Sequence, residues 1–151
     1  MTDPLASISR WLPRSSDERL PSRGFRIGAK ALVVEDGDVL LVKERRTDGS
    51  DFWTLPGGGV QPGETVERAL RRELGEELRC DVVVGGPVAP CYYDHESRPN
   101  LTTAYVVFDC WLIGEPKPNR ADGIVDYEWF GPGTLPVSTL APFERVVSGN
   151  V

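Results

Sequence analysis

Glu73, Glu76 and Glu77 fall at i, i+3 and i+4 within Arg72-Glu73-Leu74-Gly75-Glu76-Glu77. That spacing places all of them on one side of a helix. Like charges this close oppose folding unless something positive sits among them. A hard divalent cation, which prefers oxygen ligands, is the simplest neutraliser. Just upstream stands Gly58-Gly59-Val60-Gln61-Pro62-Gly63-Glu64. Its glycines let the backbone approach a metal or a phosphate with no Cβ in the way. Together the two segments indicate metal-dependent chemistry on a phosphate-bearing substrate. A phosphate-bearing substrate is anionic and repels an attacking nucleophile. Metal ions screen that charge and acidify bound water, while carboxylates hold the ions and accept the proton.

The elements that must position these residues can be read from pattern. A helix is expected from about Thr65 to about Leu78, with Glu64 near its positive end. Leu70, Leu74 and Leu78 form its core stripe, the carboxylates lie beside that stripe, and Arg68, Arg71 and Arg79 lie opposite. The carboxylates should therefore border the protein body. Phe25 to Val34 reads as a strand, Glu35-Asp36-Gly37-Asp38 as a turn and Val39 to Val42 as the returning strand. Phe52, Trp53 and Leu55 form a short apolar segment leading to Pro56. Asp81 to Val84, Tyr105 to Ile113 and Ile124 to Phe130 are further strands, and Ala141 to Val147 a closing helix. Tyr92-Tyr93-Asp94-His95-Glu96 reads as a polar aromatic loop. One central helix among hairpin-type strands implies a mixed α/β sandwich, not a doubly wound βαβ series. Residues 1–23, rich in Pro, Ser and charge, form an N-terminal arm with a Leu5, Ile8, Leu12 stripe; residues 24–151 form the domain.

The bulk properties narrow the classes. A chain of 151 residues suits one domain with a single core. Net charge of −6 disfavours a nucleic-acid duplex as partner. It leaves room for a small phosphorylated ligand, because a local cation reverses the field inside a pocket. Cys80, Cys91 and Cys110 are far apart and odd in number, and His95 is the only histidine, so neither a zinc site nor a disulfide framework is expected. Buried free thiols, no membrane-length apolar run and no leader pattern make a cytoplasmic protein the default.

From Gly58 to Cys80 the chain resembles the Nudix box, the signature of Nudix hydrolases. Gly58 is followed by five residues and Glu64, then by seven residues and Arg72-Glu73, Leu74, Gly75 and Glu76-Glu77. Leu55-Pro56-Gly57 also looks like the family's approach to the box. Arg79 and Cys80 depart from it, standing where the pattern has a glycine and an aliphatic residue. The glycine normally ends the helix in a left-handed conformation.

The resemblance implies a Nudix-type α/β/α sandwich with a mixed β-sheet. It implies a hydrolase of nucleoside diphosphates linked to another moiety, such as a nucleotide sugar, ADP-ribose or a nucleoside triphosphate, with Mg²⁺ or Mn²⁺ as cofactor. By the same analogy Glu73, Glu76 and Glu77 hold metal together with the Gly58 carbonyl. Arg72 pairs with a box glutamate and holds its rotamer, and Glu64 is a secondary ligand or helix-start anchor. Glu73 is the first choice for general base, with Glu96 and Glu128 in reserve. Arg45, Trp53, Gly57 and Glu128 are assigned to substrate. Arg26, Lys30, Lys43 and Arg46 are further cations that could grip phosphate or simply face solvent, and Tyr92, Tyr93 and Trp53 could stack on a base or pack in the core. Homodimers are frequent in the family. Two other functions use the same fold: a non-catalytic nucleotide-binding regulatory module, and an isomerase of prenyl diphosphates. The intact acidic pattern argues against both. The substrate stays open. A proline common in ADP-ribose hydrolases some fifteen residues past the box is replaced here by His95 and Glu96.

Overall fold

A computed structural model describes residues 24–95 and 100–151. The N-terminal arm and the reserve base Glu96 lie outside the described residues.

Strand β1 (Gly24–Glu35) turns into β2 (Asp38–Arg45) through Asp36 and Gly37, at φ 51° and 84°. Two successive positive φ values are what a two-residue hairpin turn needs. The hairpin pairs only at Val34–Val39 and Glu35–Asp38, after which its strands part. On one side, β1 pairs antiparallel with the short strand β4 (Gly57–Gly59) and parallel with β6 (Leu101–Ile113). Antiparallel to β6 runs β5 (Asp81–Asp94). On the other side, β2 pairs antiparallel with β3 (Asp51–Thr54) and β7 (Ile124–Phe130). The sheet is therefore mixed, as expected.

Alternation along β1 assigns its faces. Ala29, Ala31 and Val33 pack with Leu70, Leu74 and Leu78 of helix α1 (Val66–Leu78). Leu32 packs on the other face with Val107 and with Phe143, Val146 and Val147 of helix α2 (Ala141–Asn150). One helix on each face of a mixed sheet gives the α/β/α sandwich. The cysteines are all free and buried.

Two elements differ from the sequence reading. β5 does not stop near Val84 but continues to Asp94, so Tyr92 and Tyr93 belong to a strand rather than a loop. Gly85-Gly86-Pro87 looks like a break in sequence, yet the pairing with β6 absorbs it through register shifts on either side of Pro87. Such bulges let a long strand accept glycine and proline. The second difference is β4, which pattern alone reads as a plain glycine loop.

Helix α1 starts where expected. Thr65 caps it by accepting from the Arg68 N–H. Its end resolves the departure at Arg79, which itself takes the left-handed conformation (φ 51°, ψ 37°). The loop after β6 supplies what a glycine motif alone would not. Asn119 Nδ2 donates to the Glu76 carbonyl at 2.7 Å, and the backbone N–H groups of Asn119 and Lys117 donate to Glu77 and Leu78 at 2.9 and 2.7 Å. These bonds satisfy helix-end carbonyls that otherwise lack partners. Because a β-carbon is strained in that conformation, Arg79→Gly is expected to raise the unfolding free energy by about 0.5–1 kcal/mol. Urea denaturation of the two proteins checks this, and a less stable variant would show that the Arg79 side chain contributes more than its backbone strain costs.

Candidate active site

Arg72 organises the carboxylates of α1. Its Nε and Nη2 donate to Glu64 at 2.7 and 3.0 Å. Nη1 reaches Glu73 at 3.0 Å and Glu76 at 3.3 Å, while Nη2 also donates to the Gly59 carbonyl at 2.9 Å. One guanidinium therefore ties the start of the helix, its acidic face and the glycine strand. The Arg72 bonds hold the Glu64 carboxyl below the usual range, against the opposing effect of partial burial. Arg72 thus pairs with box glutamates, Glu76 at i+4 among them.

The glycine strand is fixed by its contacts. At φ 132°, Gly57 occupies a region that L side chains rarely adopt, and a Cβ there would collide with the Ala29 carbonyl of β1. A Cβ on Gly58 would stand 2.6 Å from the Glu73 carboxylate. Glycine at these positions thus permits strand pairing on one side and close carboxylate approach on the other. The ladder is bounded by Val60 N–H to Ile27 O and Ala31 N–H to Pro56 O. Antiparallel alternation then makes Ala29–Gly58 the pair that exchanges its bonds, so the Gly58 carbonyl points into β1. The Gly59 and Gly57 carbonyls lie off the ladder; that of Gly59 accepts from Arg72, which leaves that of Gly57. It accepts from Lys30 Nζ at 3.1 Å, while the Gly57 N–H donates to Glu77 at 3.2 Å. Gly58, the position expected to supply a carbonyl, has that carbonyl turned into β1.

Burial splits the three glutamates. Glu77 is buried, Glu73 is half-buried and Glu76 is exposed. Burial pushes the Glu77 carboxyl well up, with the Lys30 charge pulling the other way. Burial also raises Glu73, against its bond to Arg72. Lys30 is buried too. Desolvation works to lower its pKa, but the surrounding Tyr105, Glu77, Glu44 and Glu73 outweigh that and raise it. A buried lysine that keeps its charge is thus joined through one glycine residue to a buried glutamate.

A cleft of about 460 Å³ opens where β1 and β2 part. It is bordered by Gly57, Gly58, Glu73 and Glu77, and by Arg45 on its rim. Arg45 forks onto Asp51 at 2.8 and 3.1 Å. Trp53 and Glu128 are not on the lining. Strand alternation turns Phe52 and Thr54 toward the cleft, whereas Trp53 packs edge-on to Phe130 with centroids 5.0 Å apart. Glu128 is exposed on β7, outside the cleft. The cleft brings in Glu44 and Asp122, which sequence reading missed. Glu44 shares its parity with the core residues Leu40 and Val42, a usable signal; Asp122 sits in a 3₁₀ turn with no local signature. Burial raises the Asp122 carboxyl, and Glu76 adds to it.

Comparison with known proteins fits this geometry. A family model described as NUDIX domain matches residues 24–148. The chain belongs to the Nudix family. A nucleoside triphosphatase, NudI, from Salmonella paratyphi B is 32% identical over 124 residues, covering 72% of this chain and 84% of that protein. An RNA pyrophosphohydrolase of Coxiella burnetii is 36% identical over 72 residues, but only 31% of its length is covered. A MutT Nudix hydrolase from Burkholderia pseudomallei superposes with a TM-score of 0.75 at 27% identity, covering 85% of this chain and all of that one.

Nudix hydrolases need a divalent cation, and the donors of this cleft suit one. Two carboxylates and a backbone carbonyl are hard oxygen ligands, and a glycine strand admits them at close range. Among the described residues no three acidic, histidine or cysteine side chains already converge on one point. Glu76 is held by Arg72 instead, so gathering all three glutamates requires it to leave that bond. In chelator, raised Glu77 should make the protein less stable as pH climbs. The folded state keeps that proton to higher pH than the unfolded chain, whose value is near 4.5, so stability falls from about pH 5 upward. Glu64, being depressed, acts oppositely and loses its contribution only below that value. Glu77→Gln keeps an acceptor for the Gly57 N–H without the charge. It should flatten the alkaline decline, as read from denaturation with EDTA at pH 5.5 and 8; an identical decline in both proteins would exclude Glu77 as its source.

Proposed function

We infer that this Nudix pyrophosphohydrolase takes a nucleotide with an anhydride-linked phosphate, a nucleoside triphosphate being the first candidate, and uses Mg²⁺ or Mn²⁺. The observation that carries the reading is the pairing of Glu73 and Glu77 with the Gly57–Gly59 backbone across one cleft. The relative covered over most of its length is a nucleoside triphosphatase, which sets the order of substrates to try.

Glu73, Glu77 and the Gly57 carbonyl would hold the cation, with Glu76 joining after release from Arg72. When bound, a divalent cation supplies charge screening on the diphosphate oxygens. Everything else falls to the chain. Arg72 keeps the Glu73 carboxylate against Gly58 and fixes its direction. Burial lifts the proton affinity of Glu73 toward the working range, which suits a group that takes a proton from attacking water. Glu73 therefore remains first choice as base. Of the aromatic side chains on the cleft, Phe52 and Tyr93 are half-buried while Tyr105 and Phe143 are buried, so Phe52 and Tyr93, rather than Trp53, are the better candidates to contact a base. No helix among the described residues is long and apolar enough to cross a membrane. With three free cysteines, a cytoplasmic setting is the natural one.

Glu73→Gln should lower turnover by at least about a hundredfold with the fold intact. Exhaustive chelation should abolish activity and added Mg²⁺ or Mn²⁺ restore it. The assay is a panel of nucleoside triphosphates, nucleotide sugars, ADP-ribose and dinucleoside polyphosphates. Binding without turnover across the whole panel would favour the non-catalytic module instead.

A further inference from the structure

The three glycines of β4 separate two kinds of charge. Gly58 meets the Glu73 carboxylate, while Gly59 meets Arg26, whose Nε lies 3.3 Å from where a Cβ would be. Arg26 is half-buried on β1 and borders the cleft. Its Nε is buried with no hydrogen-bond partner. The other cleft cations are engaged: Lys30 with the Gly57 carbonyl, Arg45 with Asp51, and Arg46 with Ser50 and the Phe52 ring. Across the ladder Arg26 pairs with Thr103, and Thr103 with Tyr93, so no carboxylate shares its row. A desolvated guanidinium donor without an acceptor is costly, and an anionic oxygen meets it best.

We propose that Arg26 binds a phosphoryl oxygen of the substrate, making the Gly59 side of β4 an anion subsite next to the carboxylate side. Resting on the function proposed above, this adds a residue and a direction. Gly59 lies two strand residues from the Gly57 carbonyl, roughly 7 Å, so one diphosphate reaches both. The phosphate chain then runs along β4, with one group toward Glu73 and Glu77 and its neighbour toward Arg26. Glycine at 59 leaves the guanidinium room, since a Cβ there would stand 3.3 Å from its Nε and crowd it.

The test uses the full chain and inorganic diphosphate. Calorimetry with Mg²⁺ present compares the parent with Arg26→Gln and Arg26→Lys, and Mn²⁺ affinity is measured separately by electron paramagnetic resonance. Gln should weaken diphosphate binding by about tenfold or more, Lys should retain most of it, and Mn²⁺ affinity should stay within about twofold. In turnover assays KM should rise with kcat nearly unchanged, as for binding lost equally from ground and transition states. Gly59→Ala crowds the same guanidinium without replacing it. It should weaken diphosphate in the same direction, which covers a Gln variant that fails to fold. Unchanged diphosphate affinity in the Gln variant, or in Gly59→Ala where Gln does not fold, would overturn the proposal. So would a loss that merely tracks Mn²⁺ affinity, or one confined to nucleotides, which would mean that Arg26 reads the base. A parent that binds neither Mn²⁺ nor diphosphate would instead sink the metal-site reading, and this subsite with it.

Discussion

Gly57 joins two buried ionisable side chains, and the site is organised around that junction. Its carbonyl takes the Lys30 ammonium and its N–H meets the Glu77 carboxylate. A buried ammonium or a buried carboxyl without a hydrogen-bond partner is costly in an apolar interior. The strand carrying that peptide is held from both sides, and β4 cannot drift from β1 without leaving one charge unpaired. A glycine is obligatory there, because its positive φ and its contact with the Ala29 carbonyl exclude a side chain. The chain thus uses a backbone group where a side chain could not fit.

Arg72 extends the same logic to the helix. Glu64, Glu73 and Glu76 all reach it, and so does the Gly59 carbonyl. Clustered carboxylates on one helix face repel one another, and this guanidinium is the fixed positive charge within the cluster. It is only partly exposed, so solvent screens these bonds less than it would a surface pair. Burial disfavours the charged form of Glu77, the form that its proposed role toward a cation would use. Strain or charge retained at a site, with compensation around it, is the usual sign that function selected it.

The fold supplies the space. Because β1 and β2 pair for only two positions before parting, a cleft forms inside what would otherwise be a continuous sheet. Carboxylates enter it from α1, from β2 and from the 3₁₀ turn, and cations from β1 and β2. The long β5 closes its far end, placing Tyr93 and His95 on the lining. His95 is steadied by Thr103 at 2.8 Å. Relatives of this fold carry the names of different activities, so the fold alone does not set the substrate.

Local pattern determined much of this protein. The spacing of Glu73, Glu76 and Glu77, the leucine stripe, the Asp36-Gly37 turn and the box glycines act over a few residues. Their physics is that of one helix or one turn, so they are legible without the fold. Tertiary structure decided the rest. Trp53 and Phe52 differ by one position, and only packing determines which of them enters the core. Gly57 rather than Gly58 turns its carbonyl to Lys30, because ladder parity with β1 settles which of the two faces away from that strand. Of five cations near the glycine strand, only their neighbours distinguish those already engaged from Arg26. Burial, strand parity and partner choice depend on residues distant in the chain, so no local window contains them.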